Sequence, residues 1–182
     1  MSDWRGLAIG IDLGGTAIKA GVVSHDGQIL GRGQRATEAA RGVERVLANC
    51  VQAAADALAD ANVVPAQVAG VGVGAPGICD ALRGVVIRAG NIRWENVAVA
   101  PILGARLGLP VWLENDANCA ALGEQWCGAA RGSSHVILIT LGTGVGGGLI
   151  LDGRIYGGSS GWAGELGHMP VVPNGEPCSC GR

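Results

Sequence analysis

The sequence has 182 residues, 48% of them hydrophobic and 15% charged, with a net charge of −2. That is enough apolar material for one packed domain, or one domain and part of another, and it excludes a disordered chain. A balance without any basic cluster excludes an electrostatic footprint for nucleic acid, and the longest apolar run, residues 68–78, is too short and too rich in glycine to span a membrane.

Taken in chain order, Leu7 to Asp12, Ile18 to Val23 and Ile29-Leu30 are short apolar runs. Gly14-Gly15-Thr16 and His25-Asp26-Gly27-Gln28 punctuate them, which predicts a strand–turn–strand–turn–strand meander. Val43, Val46, Leu47, Val51, Ala54 and Leu58 recur at helical spacing and predict an amphipathic helix over Val43 to Ala61. After the Pro65 loop, Val68 to Val73 predicts a buried strand ending in Gly74-Ala75-Pro76-Gly77. A second helix is expected from Asn96 to Leu107, with Pro101 near its start. A strand from Val111 to Glu114 and a third helix from Asn118 to Gly128 follow. Arg131-Gly132-Ser133-Ser134 reads as a boundary between a first α/β lobe, residues 1–133, and the start of a second, residues 134–182. Val136 to Leu141 then opens another strand–glycine loop–strand unit that runs through Gly142-Thr143-Gly144 to Leu149-Ile150. The units around Gly14 and Gly142 resemble each other, an internal duplication spaced far wider than a solenoid repeat. The opening residues, Met1-Ser2-Asp3-Trp4-Arg5, lack the pattern of a secretion signal, so a cytoplasmic protein is expected. Cys50, Cys79, Cys119 and Cys127 read as buried thiols, not as a disulfide framework.

A turn of Gly and Thr leaves backbone N–H groups uncovered, and without Cβ atoms a phosphate approaches the main chain closely. Gly14, Gly15 and Thr16 in one turn, and Gly142, Thr143 and Gly144 in the other, are therefore candidates to grip a polyphosphate; each is also an ordinary hairpin turn. No Gly-x-x-x-x-Gly-Lys-Ser/Thr occurs, and strand follows the first turn where a dinucleotide fingerprint needs helix. Asp12 ends a strand beside the first turn, where a carboxylate tolerates phosphate only through a cation, so it is a candidate Mg²⁺ site; a turn-initiating Asp is the structural alternative. Lys19 reads equally as a phosphate contact and as a solvated strand residue. Asp116 stands between a strand and a helix, where it caps the helix and projects from the strand end. Asn91, Asn115, Asp116, Glu165 and His168 are polar residues able to donate to or accept from a hydroxyl-rich ligand, with Gly74 leaving backbone open beside them; Asn91 reads equally as a turn residue and Glu165 also as a solvated loop acid. His168, Cys178 and Cys180 offer three ligands for a tetrahedral metal, although Cys-x-Cys is a weaker pattern than Cys-x₂-Cys.

Ile9-Gly10-Ile11-Asp12-Leu13-Gly14-Gly15-Thr16 with Ile18-Lys19 resembles the first phosphate motif of the actin-like, sugar-kinase superfamily. Asn115-Asp116-Ala117-Asn118 with Ala120-Ala121-Leu122-Gly123-Glu124 is similar to the catalytic-aspartate motif of ROK family kinases. Gly161 to His168 resembles their sugar-binding segment, Gly90 to Val97 their hexose loop, and Cys178-Ser179-Cys180-Gly181 the beginning of their zinc motif. The resemblance implies an α/β actin-like ATPase, ribonuclease H-like sugar kinase fold, first lobe plus the beginning of the second. It implies ATP and Mg²⁺, a structural Zn²⁺ on His168, Cys178 and Cys180, and transfer to a hexose, foremost glucose. It makes Asp116 the base that accepts the sugar hydroxyl proton, and the full-length protein a homodimer. The family's zinc motif continues with a third cysteine and a sugar-contacting glutamate, and its members carry a further stretch beyond. The chain is thus expected to be an N-terminal portion whose activity on its own stays open. Other readings are a ROK kinase for N-acetylmannosamine, fructose or allose, a sugar-binding ROK regulator, and a non-sugar actin-like ATPase. The early phosphate motif leaves no room for the regulator's DNA-binding helices, and Glu165 to His168 argues against the ATPase.

Overall fold

The computed structural model describes residues 6–142, 144–172 and 175–178. Its strands are β1 (Leu7–Leu13), β2 (Ala17–Ser24), β3 (Ile29–Ala36), β4 (Val68–Ala75), β5 (Ile78–Asp80), β6 (Val85–Ala89), β7 (Trp94–Val97), β8 (Val111–Asn115), β9 (Val136–Leu141), β10 (Val145–Leu151) and β11 (Arg154–Ile155). Its α-helices are α1 (Val43–Ala61), α2 (Val99–Leu107) and α3 (Asp116–Cys127). The chain divides into two compact units, Met1–Asp116 and Ala117–Arg182.

In the first unit a five-stranded sheet has the order β3-β2-β1-β4-β8. The expected meander forms its antiparallel half, and β1, β4 and β8 run parallel. Alternation decides which side is the core: Ile9, Ile11 and Leu13 of β1, Ile18, Ala20 and Val22 of β2, and Val71 and Val73 of β4 are all buried. They share one apolar cluster with Val46, Leu47, Cys50, Ala53 and Ala57 of α1 and Val99 and Leu103 of α2. α1 follows Gly42 and ends at Asn62, which is left-handed (φ 53°) and donates its N–H to the last-turn carbonyls. Burial pushes the Cys50 thiol up to about 12.

The second helix starts later than its pattern suggests. Trp94 to Val97 is strand β7, paired antiparallel with β6 in a three-stranded sheet of order β5-β6-β7. Trp94 and Val97 are buried in the same apolar cluster, and α2 begins only at Val99, which puts Pro101 in its first turn, where no N–H is needed. In the second unit β9 and β10 form the second glycine hairpin, extended by β11. The β10–β11 turn is Asp152-Gly153, both left-handed, as a type I′ hairpin requires. The third helix starts at Asp116, two residues before the expected position. No helix among the described residues is long and apolar enough to cross a membrane.

Candidate active site

Three parallel strands of the first unit end side by side. In register, Asp12 lies beside Gly74, Gly74 beside Glu114, and Ala75 beside Asn115. The carboxyl ends of parallel strands are where open α/β sheets gather ligand-binding groups, because each strand there turns into a loop. Lys19 pairs with Asp12 across the β1–β2 hairpin, and both are exposed. The hairpin closes at Gly14, whose N–H donates to the Ala17 carbonyl at 3.1 Å. A Cβ on Gly14 would stand 2.7 Å from that oxygen, so the turn itself demands glycine. Gly15 and Thr16 are exposed at its tip.

The other first-unit candidates are set by their neighbours. Asn91 lies in a single helical turn, Gly90–Ile92, closed by Arg93 in the left-handed region at φ 56°. Its amide nitrogen is 3.4 Å from where a Cβ on Gly15 would sit. The Gly14–Thr16 turn and the Gly90–Ile92 segment are thus neighbours. Gly77 has φ 80°, and a Cβ there would meet the Arg88 carbonyl at 2.2 Å. The Asn115 amide donates to the Gly77 carbonyl at 3.0 Å, while its own N–H donates to Glu114 Oε1 at 2.8 Å. Asn115 therefore fixes the Gly74–Gly77 loop against the strand that delivers Asp116. Asp116 is the first residue of α3, in the field of the helix N-terminus.

In the second unit, Gly142 and Gly144 are exposed in the β9–β10 turn, where the Gly142 N–H donates to the Gly144 carbonyl at 2.9 Å. Thr143 lies outside the described residues, as does Cys180. The glycines of β10 have a separate role. A Cβ on Gly147 would meet the Gly164 carbonyl at 2.5 Å, and one on Gly167 the Val145 carbonyl at 1.9 Å. The segment carrying Glu165 and His168 thus lies directly on the strand. His168 Nε2 is 3.6 Å from Glu165 Oε2 and its Nδ1 is 3.6 Å from Cys178 Sγ. Bonds of about 2.05 Å to nitrogen and about 2.3 Å to sulfur at a tetrahedral angle separate the two donors by about 3.6 Å, so the pair fits one edge of a zinc site. Among the described residues no third His, Cys, Asp or Glu completes a metal-binding group.

Sequence motifs did not single out Thr37 or Glu114. Thr37 is fully buried and bonds the Gly14 carbonyl. No pattern marks it, because its contact lies 23 positions away in the chain. Glu114 shares the Asn115 signal but is recognisable only from its bond to the Asn115 N–H.

The family model described as "ROK family" matches residues 8–182. A glucokinase from Thermotoga maritima is 42% identical over 174 residues, covering 95% of this chain and 53% of the relative. A putative xylose repressor from Caldicellulosiruptor sp. is 35% identical over 177 residues, covering 97% of this chain and 44% of the relative. Among solved structures, a ROK family glucokinase from Streptomyces griseus in complex with glucose and AMPPNP superposes with a TM-score of 0.87 at 44% identity, over 97% of this chain and 55% of that one. The chain spans about half the length of the curated relatives it matches.

Proposed function

The chain belongs to the ROK family, with the actin-like ATPase sugar-kinase fold, and on that premise we propose that it serves ATP-dependent phosphorylation of glucose to glucose 6-phosphate. The observation that carries the reading is the convergence of Asp12, the Gly14–Thr16 turn, Gly74, Asn115 and Asp116 at the ends of three parallel strands, with Asn91 against Gly15. The glucokinase relatives support glucose as the sugar.

In this reading the exposed Gly15–Thr16 tip of the first turn is a phosphate-binding group, with Lys19 as a nearby cation, and the residues Gly142, Thr143 and Gly144 are assigned to phosphate on motif grounds alone. Bound Mg·ATP supplies the γ-phosphoryl group and the metal charge that neutralises its oxygens. Asp12 would hold the Mg²⁺ that accompanies ATP. Asn91, Asn115, Glu165 and His168 orient the hexose, and Gly74 admits it close to the backbone. Asp116 accepts the proton of the attacking 6-hydroxyl. A helix N-terminus stabilises carboxylate and lowers its basicity, and phosphoryl transfer through a loose transition state asks little activation of its nucleophile. The main task of Asp116 is therefore to hold the hydroxyl in line.

Zinc belongs to the same proposal. His168 Nδ1 and Cys178, joined by Cys180, would hold it, which would leave Nε2 of His168 toward Glu165, 3.6 Å away. The near balance of 13 Lys and Arg against 15 Asp and Glu supports a protein without a nucleic-acid partner. A cytoplasmic location and a homodimeric full-length protein rest on family analogy.

The test is a Mg·ATP kinase assay of the chain over glucose, fructose, allose and N-acetylmannosamine, with calorimetric glucose binding beside it. Transfer to glucose first is the expected result. Faster transfer to another hexose keeps the kinase and replaces its substrate. Glucose binding without transfer favours the sugar-sensing class to which the xylose repressor relatives belong. No transfer and no binding sinks the proposal.

A further inference from the structure

Thr37 lies immediately after β3 and is completely buried behind the first glycine turn. Its hydroxyl donates to the Gly14 carbonyl at 2.6 Å, and its backbone N–H donates to the Thr16 carbonyl at 2.9 Å. One residue thus takes two of the turn's carbonyls. The peptides are trans, and a planar trans peptide points its N–H opposite to its C=O. Drawing the Gly14 and Thr16 carbonyls toward Thr37 therefore aims the N–H groups of Gly15 and Ala17 away from it.

Thr37 is itself held from both sides. The Asn49 side chain of α1 donates to the Ala36 carbonyl at 2.9 Å and to the Glu38 carboxylate at 3.1 Å. Glu38 is left-handed at φ 53° and ion-paired with Arg41 at 2.7 Å. That pair, with the Asn49 bond, holds its carboxyl below the usual carboxylate range. α1, Thr37 and the turn form one chain of contacts, in which the hydroxyl is the link that touches the turn.

We propose that Thr37 is a positioning residue for nucleotide phosphates: it sets the direction of the Gly15 amide at the tip of the Gly14–Thr16 turn, and so governs affinity for the polyphosphate and not for the sugar. The proposal rests on the kinase reading above. Valine at this position keeps the shape and removes the donor, which frees the Gly14 carbonyl to rotate. Serine keeps the donor.

The test compares the 182-residue chain with its Thr37→Val and Thr37→Ser variants. Mg·ATP and glucose affinities are measured separately by calorimetry, and the Gly15 amide is followed by nitrogen-15 NMR without ligand. Thr37→Val is expected to weaken Mg·ATP binding about tenfold, to leave glucose binding unchanged and to shift the Gly15 resonance. Thr37→Ser is expected to restore all three to wild-type values. A valine variant that binds Mg·ATP like a binding wild type overturns the role of Thr37 alone. Equal loss of sugar and nucleotide affinity, or no rescue by serine, also overturns it, since either would mark Thr37 as mere packing. A wild type that binds no Mg·ATP brings down the nucleotide role together with the kinase reading.

Discussion

Gly14 and Gly15 are adjacent glycines with different physical reasons for being there. A Cβ on Gly14 meets the Ala17 carbonyl at 2.7 Å, a backbone clash inside the turn, whereas one on Gly15 touches only the Asn91 side chain at 3.4 Å. Gly14→Ala should therefore lower the melting temperature. Gly15→Ala should leave it unchanged and weaken Mg·ATP affinity about tenfold, because the methyl occupies the space a phosphate needs beside the amides. Calorimetry and a thermal melt on the two variants separate the roles; a Gly15→Ala variant with full nucleotide affinity removes the turn from the site. Asp116 makes a second residue-scale prediction. Asn keeps the size and one acceptor oxygen of the side chain but cannot accept the proton, so Asp116→Asn should cut turnover by about 10²–10⁴-fold with only a small change in glucose affinity. Steady-state kinetics beside glucose binding checks it, and near-normal turnover would refute the assigned role. Residue identity made these positions legible because Gly, Asn and Asp each carry their chemistry in the letter. Thr37 was not legible: a threonine after a strand says nothing until the fold brings Gly14 to its hydroxyl.

At the scale of elements, α1 shows when a pattern suffices. Its apolar stripe lies between Gly42 and the left-handed Asn62, so spacing and both ends agree on Val43–Ala61. The same spacing says nothing of what the helix rests on. Gly31 and Gly33 of β3 face it, and a Cβ on Gly33 would stand 2.1 Å from the Ala53 carbonyl and 2.9 Å from the Ala57 nitrogen. Helix backbone lies on strand backbone, and no rotamer relieves that contact. Gly33→Ala should then destabilise the first unit by about 3 kcal/mol, the upper end for overpacking a close-packed core. A urea titration would read this directly, and a loss below about 0.5 kcal/mol, the level of a neutral surface change, would mean that α1 shifts freely. Short strands defeat the reading from the other side. β5 has three residues and β7 four, too few to display a period of two. The apolar Trp94 and Val97 consequently merged with the α2 pattern, until pairing with β6 separated them.

At the scale of the whole chain, the second unit carries an apolar surface that its described residues leave exposed. β9 is an edge strand in the order β11-β10-β9. Its alternate residues Ile137, Ile139 and Leu141 are 70%, 58% and 82% exposed. A strand with an open row of backbone donors and acceptors and one apolar face is a template for pairing with another chain, and natural edges are normally blunted by charge or proline. Residues 136–141, Val-Ile-Leu-Ile-Thr-Leu, contain neither. Exposed apolar area of this kind drives association in proportion to what it removes from water. The 182-residue chain should thus self-associate increasingly with concentration in sedimentation velocity. Ile139→Lys should shift it toward monomer, because the ammonium charge resists burial at the centre of the strand while the exposed site asks nothing of the core. An unchanged circular dichroism spectrum in the variant would exclude unfolding as the cause. A monomeric wild type at all concentrations would mean that the exposed face of β9 is too strongly twisted or too small to pair, and the same alternation of isoleucine and leucine would then have to be read as surface that water tolerates.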